Sequence, residues 1–334
     1  MARYLFGRLL QLPVVLLVVL TIVFVVLRLG PGSPVDLATE SIRDPREVER
    51  IRREWGLDEP IHRQYVDYLA SMVRGNFGRS FTTNTPISNV IIERYPATLE
   101  LALLSLLIGL AVGVVGGVVA AVRQGTLVDL LVRSLALIGI SVPSFWLGLM
   151  MIGVFAVQWG WLPVGGRFNP RIPFEPITNF YVLDALLLGE PRLALVALSH
   201  MVMPAIAMGL FVAGFIVRIV RASVAEALIQ DYIKTARAKG LTARAITGGH
   251  AMRNALMPII TILGLQFGAL LGGSAVIETV FSYPGIGKLM IDAIYWRDYT
   301  LIQASVLLIA ATYIVINFVV DVLYSLVDPR VRYS

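Results

Sequence analysis

Long apolar runs separated by polar connections dominate this chain. Residues 9–27, 101–122, 134–158, 254–277 and 299–320 contain no Asp, Glu, Lys or Arg, and 193–217 carries His200 as its ionisable group. A helix rising about 1.5 Å per residue needs about 20 apolar residues to cross about 30 Å of hydrocarbon. The pattern therefore predicts six transmembrane helices. The stretch around Leu183 to Leu188 is too short to span and holds Asp184; it predicts at most a short helix in a proline-rich loop.

The first run follows a basic start, Arg3 and Arg8, as a secretory signal does. It is longer than a signal core of about 7–15 residues. Gly30-Pro31-Gly32-Ser33-Pro34 then stops the helix with no small-x-small cleavage site, so a retained anchor is expected. Lys/Arg placement predicts the orientation. With both termini cytosolic, the inner segments hold Arg3, Arg8, Arg123, Arg133, Arg218, Arg221, Lys234, Arg237, Lys239, Arg244, Arg253, Arg330 and Arg332. The short outer loops hold only Arg167, Arg171, Arg192, Lys288 and Arg297.

Between the first two spans lies a polar region, about 30–97. Asp44-Pro45-Arg46-Glu47 starts a charged helix reaching Trp55, with Gly56 closing it. Ile61, Tyr65, Tyr68, Leu69 and Met72 recur at helical spacing over 60–72, and Gly75-Asn76-Phe77-Gly78 forms a turn. The region fits either a solvated cap over the spans or a docking surface for an outside partner. Gly109, Gly113 and Gly117 repeat every four residues, as do Gly264, Gly268 and Gly272. This spacing fits close helix packing and equally a small-residue pore lining.

Composition narrows the class. Charged residues are 15% of the 334, apolar residues 57%, and mean hydropathy is +0.77. Those values exclude a soluble fold and a disordered chain alike. The net charge of +6 is accounted for by basic cytosolic loops beside anionic lipid rather than by nucleic acid. The absence of cysteine excludes disulfides and thiolate sites. His62, His200 and His250 lack metal-ligand spacing.

The cytosolic loop of about 221–257 is the informative one. Ser223-Val224-Ala225-Glu226 fits a capping box. Asp231-Tyr232-Ile233-Lys234-Thr235-Ala236-Arg237-Ala238-Lys239 makes a short basic helix, and Gly240 is placed to end it in a left-handed cap. Thr242 begins another helix, and Pro258 limits or kinks the next span. On spacing alone, the short helix fits a groove on another protein or a lipid-facing basic loop.

These residues resemble the EAA loop of permease subunits of binding-protein-dependent ABC importers, and within them the peptide/nickel subfamily (dipeptide/oligopeptide permease B-type). The resemblance extends through His250-Ala251-Met252-Arg253-Asn254 to Pro258, Gly264-Leu265-Gln266-Phe267-Gly268, Glu278-Thr279-Val280-Phe281, Pro284-Gly285-Ile286-Gly287, Arg297-Asp298-Tyr299 and Asp328-Pro329-Arg330. Upstream, Gly30–Pro34, Leu57-Asp58-Glu59-Pro60 and Gly75–Gly78 are similar to the same family. Lys234-Thr235-Ala236 stands where the general family has Glu-Ala-Ala, and Gly248-Gly249 replaces a more helical pair, so the entry to the fifth span is expected to be loose.

The resemblance implies an all-α integral membrane protein with the type I ABC importer permease fold. Residues 1–97 would form the anchor helix and a small helical extracytoplasmic region, and 98–330 the permease domain. It implies a second homologous permease subunit, two cytosolic ATPases and an extracytoplasmic substrate-binding protein as partners, besides membrane lipid. It assigns ATPase coupling to Asp231, Tyr232, Lys234, Thr235, Ala236, Arg237, Gly240, Arg253 and Pro258. The chain itself is expected to be non-catalytic, binding no cofactor or metal, with ATP and magnesium in the ATPases. No Gly-x-x-x-x-Gly-Lys-Ser/Thr loop occurs; Gly285-Ile286-Gly287-Lys288-Leu289 has the wrong spacing. The implied cargo is a di- or oligopeptide, with glutathione or nickel as alternatives. A proton-coupled secondary transporter is the rival, with His200 as a relay in place of a structural histidine, and with Glu100, Glu278 and Asp321 read as span boundaries. A membrane enzyme finds Ser141, Ser144 and Ser199 but no base placed by motif.

Overall fold

The computed structural model describes residues 2–29, 46, 49, 58–80 and 82–327. Among these, the long elements are all helices: α1 Ala2–Leu29, α2 Ile61–Val73, α3 Ile87–Val122, α4 Leu127–Ser141, α5 Ser144–Gln158, α6 Tyr181–Leu187, α7 Pro191–Leu228, α8 Asp231–Ala238, α9 Ala243–Val280, α10 Ile286–Tyr295 and α11 Tyr299–Val327. Within the described residues, α3, α7, α9 and α11 are each long and apolar enough to cross a bilayer, and α4 with α5 pass that test as one bent pair. The apolar part of α1 runs over Leu10–Val26. The charged helix expected up to Trp55, the Gly30–Pro34 stop and the Asp328–Tyr333 terminus lie outside the described residues, apart from helical Arg46 and Glu49.

Three expected boundaries are corrected. The run 134–158 is not one straight span: α4 and α5 meet at a 98° bend. Val142 is extended, with ψ 124°, because the ring of Pro143 disfavours helical backbone in the residue before it. The second span begins at Ile87, well before 101, since Ile87 and Ile91 bury one face of its lead-in against Leu289, Leu301 and Ala304. The fourth continues to Leu228, so Ser223-Val224-Ala225-Glu226 lies inside α7 and caps nothing. Val220, Val224 and Ala227 are buried at helical spacing, which carries the helix beyond its most apolar stretch.

The centre of the bundle is the α3–α7 pair. Gly109, Gly113 and Gly117 form a flat strip on α3 that receives Val212, Ile216 and Val220 of α7. A β-carbon on Gly113 would stand 2.5 Å from that of Ile216. The strip is thus a helix-packing surface. On α9, Gly264 and Gly268 receive Val320 and Tyr313 of α11, while Gly272 meets open space. Gly113→Ala is expected to destabilise the protein by about 1–3 kcal/mol, the usual range for overpacking a tight contact. A lowered melting midpoint in detergent checks this; an unchanged one would show that the helices part freely.

At the end of α1, Thr21 hydrogen-bonds Tyr65 of α2 at 2.6 Å, and Phe24 packs its ring 5.2 Å from Tyr65 and 5.5 Å from Tyr68. The helix predicted over 60–72 therefore lies against α1. Burial, reinforced by Tyr65, pushes the Tyr68 phenol up to about 12, so it stays neutral at physiological pH. Gly75 and Gly78 both take left-handed backbone in the expected turn, where the Gly78 amide donates to Asn76 Oδ1 at 3.1 Å.

Candidate functional site

The 229–251 segment follows directly on the end of α7 that carries Arg218 and Arg221, where Arg221 and Arg133 meet on Asp129, here termed the basic end. The chain leaves α7 and turns immediately into α8. One face of α8, Ile233 and Ala236, is buried on Ile246 with Leu228 beside it. The other face exposes Asp231, Tyr232, Lys234, Thr235 and Arg237. Lys234 Nζ donates to Asp231 Oδ1 at 2.8 Å, but both side chains are largely exposed, so this pair adds little stability.

The C-terminal end of α8 is fixed. At its close the Gly240 amide donates to Arg237 O at 2.9 Å and the Leu241 amide to Ala236 O at 3.2 Å, with Gly240 at φ +78°. This pair of bonds around a left-handed residue is the Schellman arrangement. Thr242 then caps the next helix, its Oγ1 accepting from the Ala245 amide at 3.3 Å. Ile246–Ala251 is wound as a π-helical turn containing Gly248 and Gly249, neither with a neighbour within 4 Å of its β-position. The expected irregular entry to α9 is this turn. The helix then runs on through Pro258.

The structure divides the sequence-predicted site residues into groups. Tyr232 and Pro258 line one polar cavity of about 350 Å³ with Ser223, Glu226, Gln230 and Asn254. Asn254 Nδ2 donates to the Tyr232 hydroxyl, tying α8 to α9. Asp231, Lys234, Thr235 and Arg237 face outward together, with Gly240 exposed at the end of that face. Arg253 is exposed on α9, outside the cavity lining. Ala236 points inward and seats the helix. A further tie was missed by sequence reasoning: Arg221 of α7 grips Asp129 of α4 through two bonds, 2.6 and 2.8 Å, and the Gly125 amide adds a third at 3.0 Å. Only the proximity of these helices reveals that pair, since 92 residues separate its members.

The opposite end is braced by buried polar groups. Glu278 is fully buried; its Oε1 accepts from Thr98 Oγ1 and its Oε2 from the Lys288 amide, both at 2.7 Å. Thr98 Oγ1 accepts in turn from the Ile286 amide at 2.8 Å. Glu100 receives Arg167 at 2.8 Å and the Val182 amide at 3.0 Å, while the Arg167 guanidinium lies 3.8 Å over the Tyr181 ring. Glu278, near the end of α9, and Glu100, within α3, are both buried brackets. His200 Nδ1 lies 3.0 Å from Gly165 O. A carbonyl only accepts, so Nδ1 carries the proton and the ring is bound to the backbone as a structural histidine. Asp298 accepts from Ser80 Oγ at 2.5 Å and caps α11 through the Leu301 amide at 3.1 Å.

Residues 113–333 match the family described as binding-protein-dependent transport system inner membrane component, and residues 1–102 match its N-terminal family. The di/tripeptide transport system permease protein DppB of Pseudomonas aeruginosa is 42% identical over 312 residues, 93% of each chain. The dipeptide transport system permease protein DppB of Alkalihalophilus pseudofirmus is 39% identical over 333 residues, 100% of each. The glutathione transport system permease protein GsiC of Escherichia coli is 37% identical over 334 residues, again 100% of each. An inward-facing structure of the MetNI methionine ABC transporter superposes with a TM-score of 0.55 at 20% identity, covering 73% of this chain and 98% of that one.

Proposed function

The chain belongs to the binding-protein-dependent transport system inner membrane component family, and from that premise we propose that it forms half of an ATP-driven dipeptide importer's translocation pathway. The second half is a homologous permease subunit. Two cytosolic ATPases dock at the basic end, and a substrate-binding protein delivers cargo at the opposite end. Both termini are cytosolic, in keeping with the Lys/Arg distribution. ATP and magnesium belong to the ATPases, and this subunit performs no chemistry.

The observation that carries this reading is α8: a short helix with a buried apolar face, a partner-sized polar face and no span of its own. Force applied to Lys234, Thr235 and Arg237 passes through Ile233 and Ala236 to Ile246 and to Leu228 at the end of α7, and through Tyr232 to Asn254. It thereby reaches α7 and α9 together. A rigid-body rocking of the spans follows, driven because ATP binds one arrangement of the motors better than the other. The relatives named for dipeptides outrank in identity the one named for glutathione, which favours dipeptide cargo.

Reconstitution with the cognate partner subunits in proteoliposomes tests this. ATP-dependent accumulation of a labelled dipeptide is expected, with glutathione a weak competitor. Uptake that persists without the ATPases and collapses with the proton gradient would establish a secondary transporter instead. Glutathione outcompeting the dipeptide would reassign the cargo.

A further inference from the structure

The tie between α4 and α7 at the basic end is built for geometry more than for strength. Asp129 is 1% exposed and holds three donors: Arg221 Nε on Oδ1 at 2.6 Å, Arg221 Nη2 on Oδ2 at 2.8 Å and the Gly125 amide on Oδ2 at 3.0 Å. Arg133, one turn along α4, adds a looser contact at 3.4 Å. A buried ion pair is a weak source of net stability, and a well-packed apolar pair of similar volume holds two helices as firmly. What the planar fork adds is direction. Two parallel bonds fix the relative orientation of the two side chains as well as their distance.

That fork stands on a route from α8 to the opposite end of the molecule. Leu228, which packs beside Ile233 and Ala236 of α8, ends α7 about two turns beyond Arg221. Deeper in, α4 and α7 touch backbone to backbone: a β-carbon on Gly214 would stand 2.5 Å from Ala136 O, and one on Gly139 would stand 3.0 Å from Leu210 O. Small residues at such contacts leave two helices no slack. Beyond the bend, Gly148 of α5 meets Phe281 and Ile277 at the far end of α9. The route from α8 directly into α9 is softer. Ile246, which packs on α8, belongs to the π-helical turn 246–251, where Gly248 and Gly249 have no neighbour within 4 Å of their β-positions. The Asn254–Tyr232 bond beside it joins two exposed side chains.

We infer that Asp129 and Arg221 are positioning residues that lock α4 to α7, so that a displacement of α8 moves both helices as one body and α5 carries the motion to the far end of α9. The inference rests on the proposed importer function and names the body that moves in it. The turn 246–251 takes up the difference at the near end of α9, as a compliant joint between rigid units does. At the far end the motion arrives at Phe281, whose carbonyl accepts from the Gly166 amide at 2.8 Å. Breaking the lock leaves the exposed face of α8 unchanged but lets α7 move without α4. ATP is then hydrolysed with less cargo moved.

The test is the amount of ATP hydrolysed per dipeptide moved, measured on the assembled transporter in proteoliposomes. Asp129→Asn is expected to lower uptake about tenfold, the scale of one charge-assisted hydrogen bond, while ATP hydrolysis falls less than about twofold. Arg221→Lys keeps the charge without the fork and is expected to fall between this variant and the unmodified transporter. Uptake and hydrolysis lost in equal measure, or either variant coupling like the unmodified transporter, would overturn the lock. This chain has no cysteine, so with cysteine-free partner subunits Asp129→Cys and Arg221→Cys introduce two unique thiols. That double variant is expected to be uncoupled, and joining its thiols with a short bifunctional reagent is expected to recover most of the lost uptake. Transport blocked by the cross-link would show that α4 and α7 separate during the cycle and would overturn the inference. Failure of the importer function shows in the unmodified transporter, as absent ATP-driven dipeptide uptake; failure of the lock shows only in the variants.

Discussion

Exchange of Gly240 for aspartate is expected to lower uptake more than about tenfold while the protein reaches the membrane in normal amount. No atom lies within 4 Å of the Gly240 β-position, so an added side chain meets no neighbour. Its left-handed backbone, φ +78°, costs an L-residue about 1–2 kcal/mol, and aspartate is among the residues that visit this region. Folding therefore survives. The damage falls on the surface: a carboxylate appears beside Arg237 and Lys239, on the face through which α8 is proposed to meet an ATPase. A charge of the wrong sign at such a contact weakens docking and register. Gly240→Asn supplies nearly the same shape without the charge and is expected to retain most uptake. Immunoblots of membranes, dipeptide uptake and ATP hydrolysis separate these effects. Wild-type transport by the aspartate variant would remove α8 from the coupling contact; equal loss in both variants would assign the effect to shape.

The second large effect is expected at Glu278. Its carboxylate serves α10 from outside that helix. Gly285 precedes α10 with no side chain to cap it, and the first-turn amides of Ile286 and Lys288 are taken by Thr98 and Glu278 instead. A β-carbon on Gly285 would collide with the Glu278 carboxylate, so the glycine is what lets the cap approach. Glu278→Ala leaves the Lys288 amide and the Thr98 hydroxyl without their acceptor in a buried place, for a loss of about 3 kcal/mol or more at about 1–3 kcal/mol per orphaned group. Glu278→Gln keeps one acceptor oxygen but turns an NH₂ toward a second donor, and about half that loss is expected. Thermal unfolding of the purified chain in detergent gives the order wild type, Gln, Ala. A glutamine variant as stable as wild type would show that only one of the two bonds matters.

The hydropathy pattern located the spans because burial in lipid and burial in protein both demand apolar side chains. It was blind to backbone conformation, which is why the bend at Val142-Pro143 went unseen. Pro96, Pro204 and Pro258 lie inside helices that continue, so proline alone does not announce a break in a span. The end of α8 was legible because a left-handed cap is a local property of Gly240 and the residues before it. The Gly109–Gly117 spacing was visible, but only the fit of Val212, Ile216 and Val220 decides between packing and pore. Asp129 with Arg221 and Glu100 with Arg167 arise from contacts between distant segments. No window of sequence contains both members.

The tie between Ser80 and Asp298 bears on how the protein is made. Its two members are 218 residues apart, and Thr98–Glu278 and Tyr95–Thr312 join similarly remote stretches. A ribosome thus delivers the turn around residue 80 long before its anchor emerges. During synthesis this face of the nascent chain stands with its hydroxyls and amides unclaimed, and only insertion of the final hairpin closes it. A prematurely terminated product lacks that clasp altogether.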